Sequence, residues 1–398
     1  MTRSFALSRQ LHAVAATVTS TRDEALAGPT HDDRTAAILG IALGITFTTC
    51  FVTGLYSHLL QHPPDWFVEP ARPAGLYRVT QGVHVATGLA SIPLLFAKLW
   101  SVYPRLFQWP LATGFAHAIE RVMVVPLVCG SVFMLFSGAS NIARWYPWKF
   151  FFPTGHYWVA YITFGALLAH LGAKIASTRA ALRRHVPVAT AAAGHQPGNL
   201  SRRGFLGAAA AASGFVTLTT VGQTFRPLRS LVLFAPRRTD VGSQGLPVNR
   251  AAAEAGVIDA ASDSGFALRV SGAVRRPLTL TLDDLERRPR HQATLPIACV
   301  EGWSANATWH GIPIRDLLDE AGIDPHQRLV VDVHSLESGG LYAQSTLDDS
   351  QARDRDTLLA LEVNGQRLDL DHGYPCRLIG PGRSGVQQTK WVTELVVR

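Results

Sequence analysis

The residues of this chain best suited to chemistry form two groups. Near the C-terminus a lone cysteine opens the run Cys299-Val300-Glu301-Gly302-Trp303-Ser304, and Trp309-His310-Gly311-Ile312-Pro313 follows it. Residues 294–298 read as a strand, so the cysteine stands at its end and begins a loop dense in tryptophan, serine and asparagine. Core packing is a poor purpose for a thiol in such a loop. One thiolate suits a soft transition metal better than zinc, which would demand more nitrogen or sulfur ligands nearby. The second group is histidine: His58, His84, His117, His156 and His170 all fall in or at the ends of apolar runs. Histidine is expensive in a bilayer, which makes each a functional candidate. His156 and His170 differ by 14 positions, ~21 Å of helical rise with a net rotation of only ~40°. One helix thus presents an imidazole near each membrane surface. That is what a stack of two b-haems needs, each iron taking axial nitrogens from two helices. His84, flanked by Gly82 and Gly88, is expected to pair with His156, and His117, near Gly114, with His170. His58 competes for the outer site. The alternative is a haem-free anchor with interfacial histidines.

The elements that must position these groups differ between the two halves. The chain has 398 residues, 47% hydrophobic and 17% charged, a balance that points to a partly membrane-embedded protein. Its net charge of +8 comes from basic residues scattered or flanking apolar runs, without a basic-aromatic patch, so nucleic acid is not expected as a partner. The four cysteines form no CxxC pair, and no zinc or disulfide framework is visible. Cys50 and Cys129 fall inside apolar runs, where a small buried thiol is expected. Runs long enough to span a bilayer stand at about 35–60, 77–102, 112–137, 153–176 and 204–225. Basic residues after the fourth run (Lys174, Arg179, Arg183, Arg184) place the 1–34 tail and the 177–203 segment in the cytoplasm, and the aromatic loops around Trp66 and Trp145 outside. Five spans then put everything after Phe225 on the extracytoplasmic side of a bacterial inner membrane.

The soluble half, 226–398, opens on an irregular lead-in to about 264. Short strands are then expected at 266–270, 278–282, 329–333, 361–363, 376–379 and 391–397, with helices at 282–287 and 313–321 and a brief one at 357–359. The fold expected is therefore a multidomain membrane protein: an all-α four-helix transmembrane bundle (35–176), a fifth anchoring helix (204–225), and an α+β, β-rich domain.

Three resemblances sharpen this. Ser201-Arg202-Arg203-Gly204-Phe205-Leu206, followed by a weakly apolar helix, resembles a twin-arginine export signal set in mid-chain, which implies the twin-arginine machinery as a partner; an ordinary span obeying the positive-inside rule is the alternative. Residues 35–176, through their histidines, resemble the four-helix dihaem cytochrome b subunits of respiratory oxidoreductases. That family takes an inner ligand from its first helix, where this chain offers only His31, just outside the run. Residues from about 266 resemble the molybdopterin domain of the sulfite oxidase superfamily. Ser271-Gly272-Ala273-Val274 with Pro277-Leu278-Thr279-Leu280 matches its opening strands. The Cys299 loop matches its molybdenum cysteine, and His372-Gly373-Tyr374-Pro375-Cys376-Arg377 with Lys390-Trp391-Val392 matches its cofactor tail.

The last resemblance implies that Cys299 ligates molybdenum and that His372, Arg377 and Lys390 hold the pterin and its phosphate, with Gln388 and Asn249 as further contacts. Arg and Lys are the donors a buried phosphate needs. Cys376, beside Arg377, reads as packing. Sulfite-oxidising members carry a cation four positions after the metal cysteine, where this chain has Trp303; Arg383 is the obvious stand-in. The Cys-Val-Glu-x-Trp-Ser string instead resembles the periplasmic methionine sulfoxide reductase catalytic subunits, and an aromatic beside the metal suits a thioether-like substrate. The implied function is a molybdenum oxidoreductase passing electrons between membrane quinol, b-haems and the pterin site, reducing small or protein-bound sulfoxides. The alternatives are a sulfite dehydrogenase feeding quinone, or an inactive electron-transfer or anchor module.

Overall fold

The computed structural model describes residues 28, 30–64, 66–106, 114–183, 200–233, 242–340 and 343–398. The expected cytoplasmic tail and the 187–198 loop lie almost wholly outside these residues. Among the described residues, five helices are long and apolar enough to cross a membrane: α1 (Asp33–Gln61), α2 (Leu76–Leu106), α3 (Phe115–Ile142), α4 (Phe152–Arg183) and α5 (Arg202–Val221). Their outward faces carry Ile45, Phe96, Val122, Val125 and Trp158, each more than 59% exposed. Water would penalise such faces and lipid would not. Cys129 is exposed on α3 rather than buried, because a helix that is apolar all round cannot turn every apolar residue toward its neighbours.

The chain divides into two compact units that do not follow chain order. The first holds Met1–Thr49, Thr87–Ala139 and Pro147–Thr217; the second holds Cys50–Ala86, Ser140–Tyr146 and Leu218–Arg398. In the first unit polar side chains join the helices. Ser91 Oγ donates to Thr46 Oγ1 at 2.8 Å, and Ser213 Oγ to the Ala90 carbonyl at 2.9 Å. Gly130 lets α3 and α4 approach, since a Cβ there would lie 2.2 Å from Thr163 Oγ1. Asp32 caps α1, accepting from the Thr35 amide at 2.6 Å, and its other carboxylate oxygen receives two donors of Arg202.

The β-rich part of the second unit holds two sheets. Its strands are β1 (Ala267–Gly272), β2 (Leu278–Thr281), β3 (His291–Ala298), β4 (Ser304–Pro313), β5 (Val331–Ser335), β6 (Gln344–Leu347), β7 (Leu358–Val363), β8 (Gln366–Arg367), β9 (Arg377–Ile379) and β10 (Val392–Val397). One sheet runs β2-β1-β10-β5-β6, with β10 parallel to β1; the other runs β3-β4-β7-β8, with β9 on β7. Short helices α6 (Ala252–Ala255), α7 (Ile258–Ser262), α8 (Leu282–Arg287), α9 (Ile314–Glu320) and α10 (Asp349–Ala352) fill the edges. The Thr281/Asp284 capping box starts α8, each side chain meeting the other's amide.

Three stretches depart from the sequence expectation. Residues 304–313 form the longest strand of the domain, not a loop. Ala307, Trp309 and Gly311 face inward and Thr308 and His310 outward, a period of two hidden by small and polar residues. Residues 358–359 belong to β7 instead of a helix. That strand lies between β4 and the β8/β9 pair with both faces covered, so its Leu-Leu-Ala-Leu run shows no alternation. The lead-in carries α6 and α7; their Ala252 and Ala261, with Val257 between the two helices, pack on Trp391.

Candidate active site

Cys299 stands at the end of β3, 2% exposed, in a tight turn that β4 closes. Its amide donates to the Trp303 carbonyl at 2.9 Å, and the Gly302 amide donates to the Cys299 carbonyl at 3.0 Å. Gly302 makes the turn possible: its φ of 97° is left-handed, and a Cβ there would meet Val85 and Gln223 at 3.0 Å. On the other flank, a Cβ on Gly385 would lie 2.8 Å from the Ala298 carbonyl oxygen. Only a glycine lets that segment pass so close to the cysteine.

Of the residues expected at the site, Arg377 and Lys390 lie together, both within 3.2 Å of where a Cβ on Gly373 would be. Asn249 Nδ2 is 3.8 Å from Cys299 Sγ. His372 is buried, and its Nε2 donates to the Ser243 carbonyl at 2.8 Å, which leaves Nδ1 as the lone-pair nitrogen. Burial pulls its imidazole down to about 4. Lys390 Nζ donates to the carbonyls of Arg250 (2.9 Å) and Asp371 (2.6 Å), and burial, seconded by Arg377, brings its ammonium down to about 7. Arg377 is buried over the Trp309 ring, with its two amino groups given to the carbonyls of His372 and Gln388, both at 3.0 Å. Fully burying a ring like Trp309 is worth roughly 2–3 kcal/mol, so the platform beneath Arg377 is firm.

Two expected contacts take different roles. The Gln388 amide is locked to Gly380 in both directions, at 2.8 and 2.9 Å, so it shapes the loop after β9. Trp303 is buried in the core of the second sheet with Leu295 and Ile379, its Nε1 donating to Glu301 at 3.1 Å, while Glu301 meets Arg144 at 3.4 Å. Trp303 therefore braces the cysteine turn from within the core. Cys376 is fully buried and its thiol is pushed well up by burial, in keeping with packing.

Residues 255–398 match the family model described as the oxidoreductase molybdopterin binding domain. Sulfite oxidase of Arabidopsis thaliana is 29% identical over 163 residues, covering 33% of this chain and 42% of that protein. A putative protein-methionine-sulfoxide reductase subunit, YedZ1, of Azospira oryzae is 34% identical over 140 residues (35% of this chain, 50% of that one). The uncharacterized oxidoreductase YuiH of Bacillus subtilis is 32% identical over 126 residues (31% and 61%). The C-terminal part is a molybdopterin oxidoreductase domain of the sulfite oxidase family. The chain spans between 42% and 61% of the length of these relatives.

The residues of the molybdopterin domain fit an anionic cofactor. Among the described residues neither Arg377 nor Lys390 enters an ion pair, and Arg377 Nε is buried without a partner. Cations held out of water without a counter-charge are costly, and a phosphate would relieve that cost. Arg383, the expected stand-in for a sulfite clamp, is otherwise engaged. It is fully buried, paired with Glu69 at 3.4 Å and bonded to Gln351 and to the Thr346 and Gln387 carbonyls. No donor set is left to turn toward Cys299.

The histidines take up the following places. His84, on α2, holds Nδ1 2.9 Å from the Cys50 carbonyl and 3.3 Å from Thr53 Oγ1; a Cβ on Gly54 would touch the ring at 2.9 Å. A carbonyl only accepts, so the Nδ1 proton points to it and the lone pair falls on Nε2, the nitrogen an iron would take. His156, on α4, repeats the pattern with Nδ1 3.0 Å from Ser137 Oγ, itself a donor to the Met134 carbonyl. His170 is half-buried further along α4, and the His58 ring lies tilted against that of His62, with centroids 4.9 Å apart. His117 falls in α3, with its side chain outside the described residues. Sequence reasoning missed Gln81, Asn141, Gln223 and Thr224, which reach the cysteine turn; polar residues in apolar helices were its one available signal.

Proposed function

We propose that this chain is a molybdenum-dependent reductase of oxidised sulfur compounds, methionine sulfoxide leading, that draws electrons from membrane quinol through b-haem. The observation that carries the reading is the buried Cys299 turn, with Asn249 beside its sulfur, near a neutral His372 and two cations, Arg377 and Lys390, that have no carboxylate partner among the described residues. Cys299 is the thiolate for the metal. Lys390 and His372 face the pterin and its phosphate, and Arg377 fixes the His372 turn from below. When bound, the cofactor supplies two-electron exchange at the metal. The reduction itself takes two electrons and two protons and converts a sulfoxide to a thioether and water. Commitment of Arg383 to Glu69 leaves the loop without the cation that a sulfite dianion would want, which favours an uncharged substrate.

Haem is held at His84, His156 and His170, with His117 as a further ligand and His58 as the competitor, giving two haems as the sequence implies. The shared Nδ1 arrangement of His84 and His156 supports this. The five apolar helices sit in the bacterial inner membrane, and the molybdopterin domain lies outside the cytoplasm, exported through the Arg202–Arg203 signal. The test is to add methionine sulfoxide to dithionite-reduced protein, and sulfite to oxidised protein, following the haem bands. Sulfoxide should reoxidise the haem, and Cys299→Ser should stop this while leaving the haem spectrum intact. Haem reduction by sulfite, without reoxidation by sulfoxide, would reverse the direction assigned.

A further inference from the structure

Val300 follows the cysteine directly, and its carbonyl lies between two buried side-chain amides. Gln81 Nε2 and Asn141 Nδ2 each donate to it at 3.2 Å, and both residues are 7% exposed. Tyr146 Oη donates to Asn141 Oδ1 at 2.9 Å, which sets the orientation of that amide. The other carbonyl of the turn, Gly302, accepts from Thr224, while the Ser304 amide donates to the Gln223 carbonyl at 3.0 Å. On α2, Gln81 precedes His84 by three positions and therefore shares its face. Val85, next to His84, lies 3.0 Å from where a Cβ on Gly302 would be. One helical turn of α2 thus carries His84 together with two of the contacts to the cysteine turn, Gln81 and Val85.

We propose that Gln81, on the helical turn bearing His84, and Asn141, at the end of α3, are positioning residues that clamp the Val300 carbonyl between them and so fix the Cys299 turn beside His84, setting the rate of electron passage between a haem on His84 and the metal on Cys299. This rests on the reading of His84 as a haem ligand. With both lone pairs of the Val300 carbonyl occupied, its peptide cannot tilt without leaving a buried amide unpaired. A single apolar contact would hold the turn in place but leave its rotation loose. Quinol is the reductant, its two electrons passing singly along this route, and the sulfoxide takes them with two protons.

The experiment uses the full chain in detergent and the variants Gln81→Leu and Asn141→Leu. Haem is photoreduced by a flavin donor, and electron exchange with the metal is followed through the haem absorbance, so no substrate is required. Haem and molybdenum content should match the unaltered chain, and the Mo(V) resonance should shift. The exchange rate should fall by roughly tenfold or more, the scale on which a displacement of ~1 Å is felt. Gln81→Asn, one methylene shorter and still polar, should show the same loss and covers a leucine variant that fails to assemble. An unchanged exchange rate with haem present overturns this inference alone. Absence of haem from the unaltered chain overturns it together with the reading on which it rests.

Discussion

His372 is buried with its Nε2 proton given to the Ser243 carbonyl, and its imidazole is pulled from 6.5 to about 4 by burial, Arg377 and Lys390 adding to the effect. The unfolded chain therefore takes up a proton between those two pH values that the folded chain refuses. Stability is full above the higher value and falls as pH drops through the window. Cofactor-free protein should lose ~3 kcal/mol across it. Urea denaturation at a series of pH values checks this, and His372→Gln, which keeps a donor for Ser243, should flatten the curve. The identity of such residues was legible because their types are costly to place otherwise: a cysteine heading a polar loop, a lysine and an arginine within a strand-rich tail. Their partners were not. Gln388 was expected at the cofactor and instead clasps Gly380, since an amide can serve backbone or ligand equally well.

At the scale of elements, α4 carries its two histidines as the 14-residue spacing requires. Separated by ~21 Å, they cannot share one haem. His156→Ala and His170→Ala should each remove about half of the bound haem and alter different redox transitions; loss of one common spectral component from both would leave the two-haem proposal without support. Helix α5 raises a different question. Arg202 grips Asp32 through two donors, pinning the start of α5 to the start of α1, whereas among the described residues no ion pair is seen for Arg203. Lysine cannot reproduce a two-donor grip, and a partly exposed pair is worth ~0.5–1 kcal/mol. The export proposal expects Arg203→Lys to block outward placement of the C-terminal domain as severely as Arg202→Lys does. A purely structural role expects an effect from Arg202→Lys only, and protease accessibility from the outer side separates the two.

For the whole molecule, the segment between α1 and α2 is fastened to the molybdopterin domain inside one compact unit. Glu69 meets Arg383 with both side chains almost wholly buried, Arg72 pairs with Asp354 at 2.9 Å, and Gln387 donates to the Leu60 carbonyl. Burial pushes the Glu69 carboxyl up to about 7, although Arg383 pulls against it. Breaking this pair strands a buried guanidinium, so Glu69→Ala should cost ~3–5 kcal/mol, read as a lowered denaturation midpoint, with Glu69→Gln losing less. By itself the sequence determined the five apolar helices, most strands of the second half, the cysteine at the end of β3 and the histidine spacing. Each follows from local periodicity or from a residue type whose burial demands a purpose. Only the tertiary structure decided that residues 304–313 and 358–359 belong to strands, that Arg383 is spent on Glu69, and that Gln81 and Asn141 share the Val300 carbonyl. Those outcomes depend on which partner a group meets across hundreds of residues. A buried polar group must find some partner, but its own neighbourhood in the chain does not say which.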